Sequence, residues 1–240
     1  MNFRRASIAV FLAISAVAIV AAIAEATKIY SAHKHETYMR NLETEVVRIT
    51  LAGHPFDIPM RYLYGQAIEK YHQWPKAKKE RVNVDALTLS VLLPELRPYY
   101  LTDDALWKVK GHGSRVEVSI MKPVGGADWY VSMRNRYLSG TAPGNITKKT
   151  QGYGLIQFSG ARDRYFPSDQ SAELTIACDR PDSAKWPSCM TKSNYQPGIV
   201  LEYYYALEYL PRWREIDEIL KGMFNSFAQT AELHISAKKE

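Results

Sequence analysis

Cysteine is nearly missing from this chain: its 240 residues hold two, Cys178 and Cys189. Two cysteines with no histidine close by make only half of a structural zinc site, which takes four ligands. The ten residues between them, two of them proline, do not resemble the Cys-x-x-Cys of a redox pair. Cys178 continues the apolar side of Leu174 and Ile176, and Cys189 opens the next extended run. A disulfide across the base of this loop is therefore expected, with two buried thiols as the alternative. Loop-closure entropy assigns such a bridge about 3 kcal/mol. Disulfides persist outside the reducing cytosol, so the pair points to export.

Catalytic signatures are missing as well. The chain has no G-x-S-x-G, no H-E-x-x-H, and no S-x-x-K with its companion motifs. The glycines of "GYGLIQFSG" (152–160) come without a phosphate-loop lysine or dinucleotide spacing, so they read as the ends of a hairpin. No catalytic residue, cofactor or metal is assigned. His112, in the flexible-looking "KGHGS", is the one imidazole placed to act as a general base, and it has no partner in the sequence. The carboxylate pairs Asp103-Asp104 and Glu215-Asp217 fall at expected helix starts, where negative charge is favoured by the helix dipole alone. There is also no strong excess of charge. The formal net charge is +6, of which Arg4 and Arg5 supply two, too dilute a surplus to indicate nucleic acid.

What is present begins at the amino terminus. After "MNFRR", residues 6–24 carry no charge, enough apolar length to cross a bilayer as a helix. The run is longer than a signal-peptide core, which favours a retained signal-anchor over residues 1–25. Ala22-Ile23-Ala24 before Glu25 is the alternative, a cleavage site. A tail this short normally stays in the cytoplasm, so the body of the chain is expected in the periplasm of a single-pass bacterial inner-membrane protein. Residues 26–44 are polar and read as a stalk.

From residue 45 to 240 the texture is that of one β-rich domain. "VVRITL" (46–51) alternates, and "AGHPFDIPMRYL" with its two prolines reads as a turn and edge strand. Residues 84–96, 113–123 and 128–138 read as strands, the last two joined by a hairpin turn at "PVGGAD". Residues 140–154 read as a loop carrying the sequon Asn145-Ile146-Thr147, which matters only in a eukaryotic source. "LIQFSGARDRYF" and "AELTIAC" give two further strands, and "CMTKSNY" and "GIVLEYYYAL" another pair. One long helix stands out over residues 210–233, with Trp213, Ile216, Leu220, Met223 and Phe227 three or four apart. The expected class is α+β: a mostly antiparallel sheet with the C-terminal amphipathic helix packed on it.

Two stretches have the composition of a protein-binding surface. "EYYYALEYLPRW" places Tyr204 outward by alternation, beside Arg212 and Trp213. "PKAKKER" gathers Lys76, Lys78, Lys79 and Arg81, suited to anionic headgroups or an acidic partner. The expectation is a non-catalytic protein, acting on an unidentified protein partner as an envelope-assembly subunit or as an immunity-type inhibitor of a toxin. A cell-envelope hydrolase using a carboxylate or His112 is the alternative.

Overall fold

The computed structural model describes residues 18–31, 33, 44–63, 80–126, 128–142, 147–150, 152–169 and 172–237. The chain divides into two compact units, Met1–Glu45 and Val46–Glu240. In the first, residues 18–31 are helical and exposed, with a Glu25–Lys28 ion pair at 3.8 Å. The earlier part of the expected span and most of the expected stalk lie outside the described residues. Among the described residues no helix is long and apolar enough to cross a membrane. The described helical stretch starts at residue 18 and runs past Glu25 and Lys28 into polar sequence.

The second unit contains two sheets. The smaller has the order β2-β1-β3, from β1 (Val46–Leu51), β2 (His54–Pro59) and the short β3 (Val82–Asn83). Leu51 pairs with His54, leaving Ala52 and Gly53 as a two-residue turn, both at positive φ. Such a turn matches the twist of the strands it joins, and Gly53 takes its conformation without a Cβ penalty. Pro55 and Pro59 sit on β2 at the sheet edge, where a missing N–H breaks no ladder.

The larger sheet has eight strands: β4 (Ala86–Leu92), β5 (Arg115–Met121), β6 (Thr147–Thr150), β7 (Leu155–Ser159), β8 (Asp163–Pro167), β9 (Leu174–Cys178), β10 (Ser188–Gln196) and β11 (Ile199–Ala206). Their order is β4-β5-β11-β10-β9-β8-β7-β6, with every neighbouring pair antiparallel. Strands β6 to β11 follow one another as a meander, and the earlier β4–β5 hairpin adds on beside β11.

Alternation decides what each face does. Val116, Val118 and Ile120 of β5 and Ile199, Leu201, Tyr203 and Tyr205 of β11 all point inward and are buried. Among the described residues of this unit three helices accompany the sheet: α1 (Asp104–Trp107), α2 (Trp129–Leu138) and α3 (Trp213–Ser236). The apolar stripe of α3 lies in the same core as the inward face, with Trp213, Ile216, Leu220 and Phe224 nearly inaccessible. Phe224 meets Phe56 of β2 edge-on at 6.4 Å, and Tyr62 meets Phe227 at 5.1 Å, so the small sheet closes this core. Pro211 lies in a 3-10 turn, Leu207–Arg212, that leads into α3.

Three expectations are corrected. Residues 128–138 are not a strand: Trp129–Leu138 is helical, and the turn before it joins β5 to α2. Trp129 and Met133 satisfy a period of two and a helical period alike. Tyr130 and Tyr137 settle it, because only a helix brings all four onto one side. That side packs on Phe158, Phe166 and Val200, while Val131 is left exposed. Within the expected loop 140–154, Thr147–Thr150 forms the edge strand β6. Its sequence, Thr-Lys-Lys-Thr, carries no apolar alternation, and lysines are usual on a protected edge. Finally, "LIQFSGARDRYF" is a whole hairpin, β7 and β8, rather than one strand.

Candidate interaction surface

Register places Cys178 of β9 opposite Cys189 of β10, and beside them the Asp179 N–H donates to the Ser188 carbonyl at 2.9 Å. The cysteines therefore form a non-hydrogen-bonded pair, where antiparallel backbones approach most closely. They are disulfide-bonded, with Cα atoms 4.0 Å apart, and both are buried. Beyond the bridge, Asp179 accepts from the Ser188 N–H and hydroxyl, and Arg162 pairs with it at 3.0 Å. The Leu207 N–H donates to the Pro187 carbonyl, tying the loop to the turn before α3. The loop presents Trp186, 47% exposed, with the Lys185 ammonium 4.7 Å from its ring centre. Gly111 lies against this indole at φ +74°, where a Cβ would stand 2.7 Å from Trp186 Cβ. Only glycine lets the β4–β5 connection close on the disulfide loop.

The next residue, His112, lies parallel to the Tyr204 ring, centres 6.4 Å apart and planes within 10°. Burial, then the nearby Arg115, lowers its pKa, so the imidazole is neutral near pH 7. Its Nδ1 is buried and accepts or donates no hydrogen bond. Tyr204 is partly exposed on the outer face of β11 and donates its hydroxyl to Glu202 at 3.0 Å. Burial and that bond to a carboxylate raise the pKa of the phenol. Directly opposite Tyr204 on β5 stands Glu117, and opposite Glu202 on β10 stands Lys192.

The other expected partner contacts are distributed differently. Trp213 belongs to the core at 2% exposure, and its indole N–H donates to the Tyr153 carbonyl at 2.9 Å. It is on the inner side of the sheet and Tyr204 on the outer, so the two are not brought together. Arg212 is forked onto the Glu215 carboxylate. Lys76, Lys78 and Lys79 lie outside the described residues. Arg81 faces inward: it donates to the Ile49 and Phe56 carbonyls and pairs at 2.6 Å with the buried Asp57. That carboxylate also takes His234 of α3 at 2.7 Å, locking the end of the helix onto β2.

The paired carboxylates serve the fold. Asp103 pairs with Arg97 at 2.7 Å, and Asp104 with Lys108 and the Tyr99 hydroxyl. Asp217 is buried between the Tyr203 hydroxyl at 3.1 Å and Lys221 at 2.8 Å. Among the described residues no group of three or more His, Cys, Asp or Glu is placed to hold a metal ion. A cleft of about 550 Å³ opens at the opposite end of the sheet, lined among others by Trp129, Glu173, Asn194, Gln196 and Lys221. Within it Trp129 Nε1 donates to Asn194, which donates to Glu173, while the buried Gln196 Oε1 has no partner.

Glu117 and Trp186 did not stand out in the sequence. Glu117 comes from a strand almost eighty residues before that of Tyr204, and a non-local register of this kind leaves no local trace.

By sequence, no protein-family model and no curated protein matches the chain. By fold, two solved structures do. The iron-regulated outer membrane lipoprotein FrpD of Neisseria meningitidis aligns at TM-score 0.50 and 15% identity, over 79% of this chain and 95% of its own. Smlt3025, an immunity protein of the Stenotrophomonas maltophilia type IV secretion system, aligns at TM-score 0.53 and 12% identity, over 76% of this chain and 93% of its own. The chain thus shares an α+β fold with both, built on a large antiparallel sheet and a C-terminal helix.

Proposed function

We propose that this chain is a non-catalytic protein-binding domain of a bacterial cell envelope. Its apolar amino-terminal segment holds it at the inner membrane with the β-rich unit in the periplasm. Cleavage after Ala24 would leave the same unit soluble in that compartment. The observation that carries the proposal is the outer face of the large sheet around Tyr204. Among the described residues α2 packs on the β7–β8 side of that face, while Tyr204, Glu117 and Glu202 remain partly exposed. The disulfide supports an oxidising compartment. The shared fold supports a role as an immunity-type inhibitor or an envelope-assembly subunit. The basic segment Lys76, Lys78 and Lys79, toward acidic groups or headgroups, and Arg212 are further contacts in this proposal.

The test is site-specific photocrosslinking in cells, with a benzophenone amino acid in place of Tyr204 and, as control, of exposed Glu232. A discrete protein adduct from position 204 and none from 232 is expected. Equal labelling from both positions, or from neither, would defeat the proposal.

One observation favours a second role. The buried, unbonded Nδ1 of His112 and its depressed pKa describe an imidazole held as a neutral base. A hydrolase would follow if the exported unit turned over peptidoglycan, phospholipid or ester substrates and lost that turnover in His112→Ala.

A further inference from the structure

We propose that the open sheet face around Tyr204 docks a protein surface presenting arginine. This rests on the protein-binding function above and names the chemistry of its partner. The chain as a whole is cationic, at +6, yet this patch is not. Glu117 and Glu202 stand on the outer face of adjacent strands, flanking the Tyr204 ring across the β5–β11 register. Among the described residues neither carboxylate forms an ion pair, and Glu202 accepts a hydrogen bond from Tyr204.

The nearby cations make their direct contacts elsewhere, although Lys192 still feels the charge of Glu202. Lys192, although opposite Glu202, turns its ammonium to the Val124 carbonyl at 3.3 Å and over the Trp129 ring at 4.4 Å. Arg162 is held by Asp179 and the Ala177 carbonyl. Arg115 donates to the Trp107 carbonyl at 3.0 Å. An incoming cation therefore meets two carboxylates without displacing a resident one. Between them lies an aromatic ring already backed by His112 in a parallel stack. A guanidinium is planar, weakly hydrated and able to stack and donate at once, so it suits this combination better than an ammonium. Carboxylates beside an aromatic face make arginine the complementary side chain.

The test uses the full chain in detergent micelles and fluorescent eight-residue peptides of alternating Arg-Ser, Lys-Ser and Glu-Ser. A protein with a net charge of +6 attracts a basic peptide only through a local anionic site. The Arg-Ser peptide should bind at least tenfold more tightly than Lys-Ser, and Glu-Ser should not compete. Glu117→Gln with Glu202→Gln should weaken Arg-Ser binding at least tenfold, and Glu232→Gln should leave it unchanged. Tyr204→Leu should erase the preference for arginine; Tyr204→Phe, which loses only the hydroxyl, should retain it. Equal affinity for the two basic peptides would overturn the assignment, as would binding indifferent to the double variant. Binding to phosphatidylglycerol vesicles through this face, with no peptide binding, would also overturn it. A Tyr204 crosslink to a protein combined with no arginine binding removes the arginine chemistry and leaves the binding function standing. Loss of both removes both.

Discussion

The inner and outer faces of the eight-stranded sheet come from the same strands and follow opposite rules. Inward, β5 and β11 place seven apolar or tyrosyl side chains against α3, all buried. Outward, the same two strands place glutamate, serine and tyrosine at half exposure. A polar group that does enter the inner face arrives with a partner, as Tyr203 does with Asp217. Burial and that carboxylate drive the Tyr203 phenol well above its ordinary pKa. Outside, Glu117 and Glu202 form no ion pair among the described residues. One face is optimised for its own closure and the other is left available, which is how a stable domain presents a site that contributes little to its own stability.

The sharpest way to break this contrast is to cut a large side chain from the inner face. Phe224 is fully buried among Phe56, Tyr195 and Phe227, so Phe224→Ala should cost about 3–5 kcal/mol in denaturant unfolding. Replacing both cysteines with serine removes the bridge between β9 and β10. About 2–4 kcal/mol should be lost in the same measurement, with a visible gel shift on reduction only in the parent chain.

A smaller effect distinguishes the boundary between the faces. The pKa of His112 is lowered by folding, so the unfolded chain binds its proton more readily. Its contribution to stability is complete above the ordinary histidine pKa of 6.5 and is lost as pH falls below that toward the depressed folded value. His112→Phe should flatten that part of a stability–pH curve and leave the region above pH 7 unchanged. The smallest effect belongs to the outer face. Glu117→Gln and Glu202→Gln should each move stability by less than about 0.5 kcal/mol, as expected of partly exposed side chains. A large loss in either variant would mean that the outer face is structural after all.

Much of the sheet could be read from the sequence, because β5 and β11 alternate cleanly, turn residues bound the other strands, and α3 repeats every three or four residues. The disulfide was readable for the same reason: Cys178 falls in phase with Leu174 and Ile176. Residues 128–138 misled because Trp129 and Met133 fit both periods and no proline or glycine arbitrates within the segment. The edge strand β6 escaped because its pairing is carried by backbone groups that composition does not report. The candidate surface was legible at Tyr204 and, by the same alternation, at Glu202. Glu117 depends on which strand lies beside β11, and the placement of Trp213 depends on the start of α3.

That strand order has a consequence for synthesis. The β4–β5 hairpin is complete by Met121, but the strand that seals its β5 edge begins only at Ile199. At about 5–20 residues per second, the ribosome takes roughly 4–16 s to supply it. Throughout that interval β5 carries an unpaired row of backbone donors and acceptors above three exposed apolar side chains. A nascent chain of this design needs a chaperone, or an unfolded route to its compartment, for the time that its first hairpin waits for its last strand.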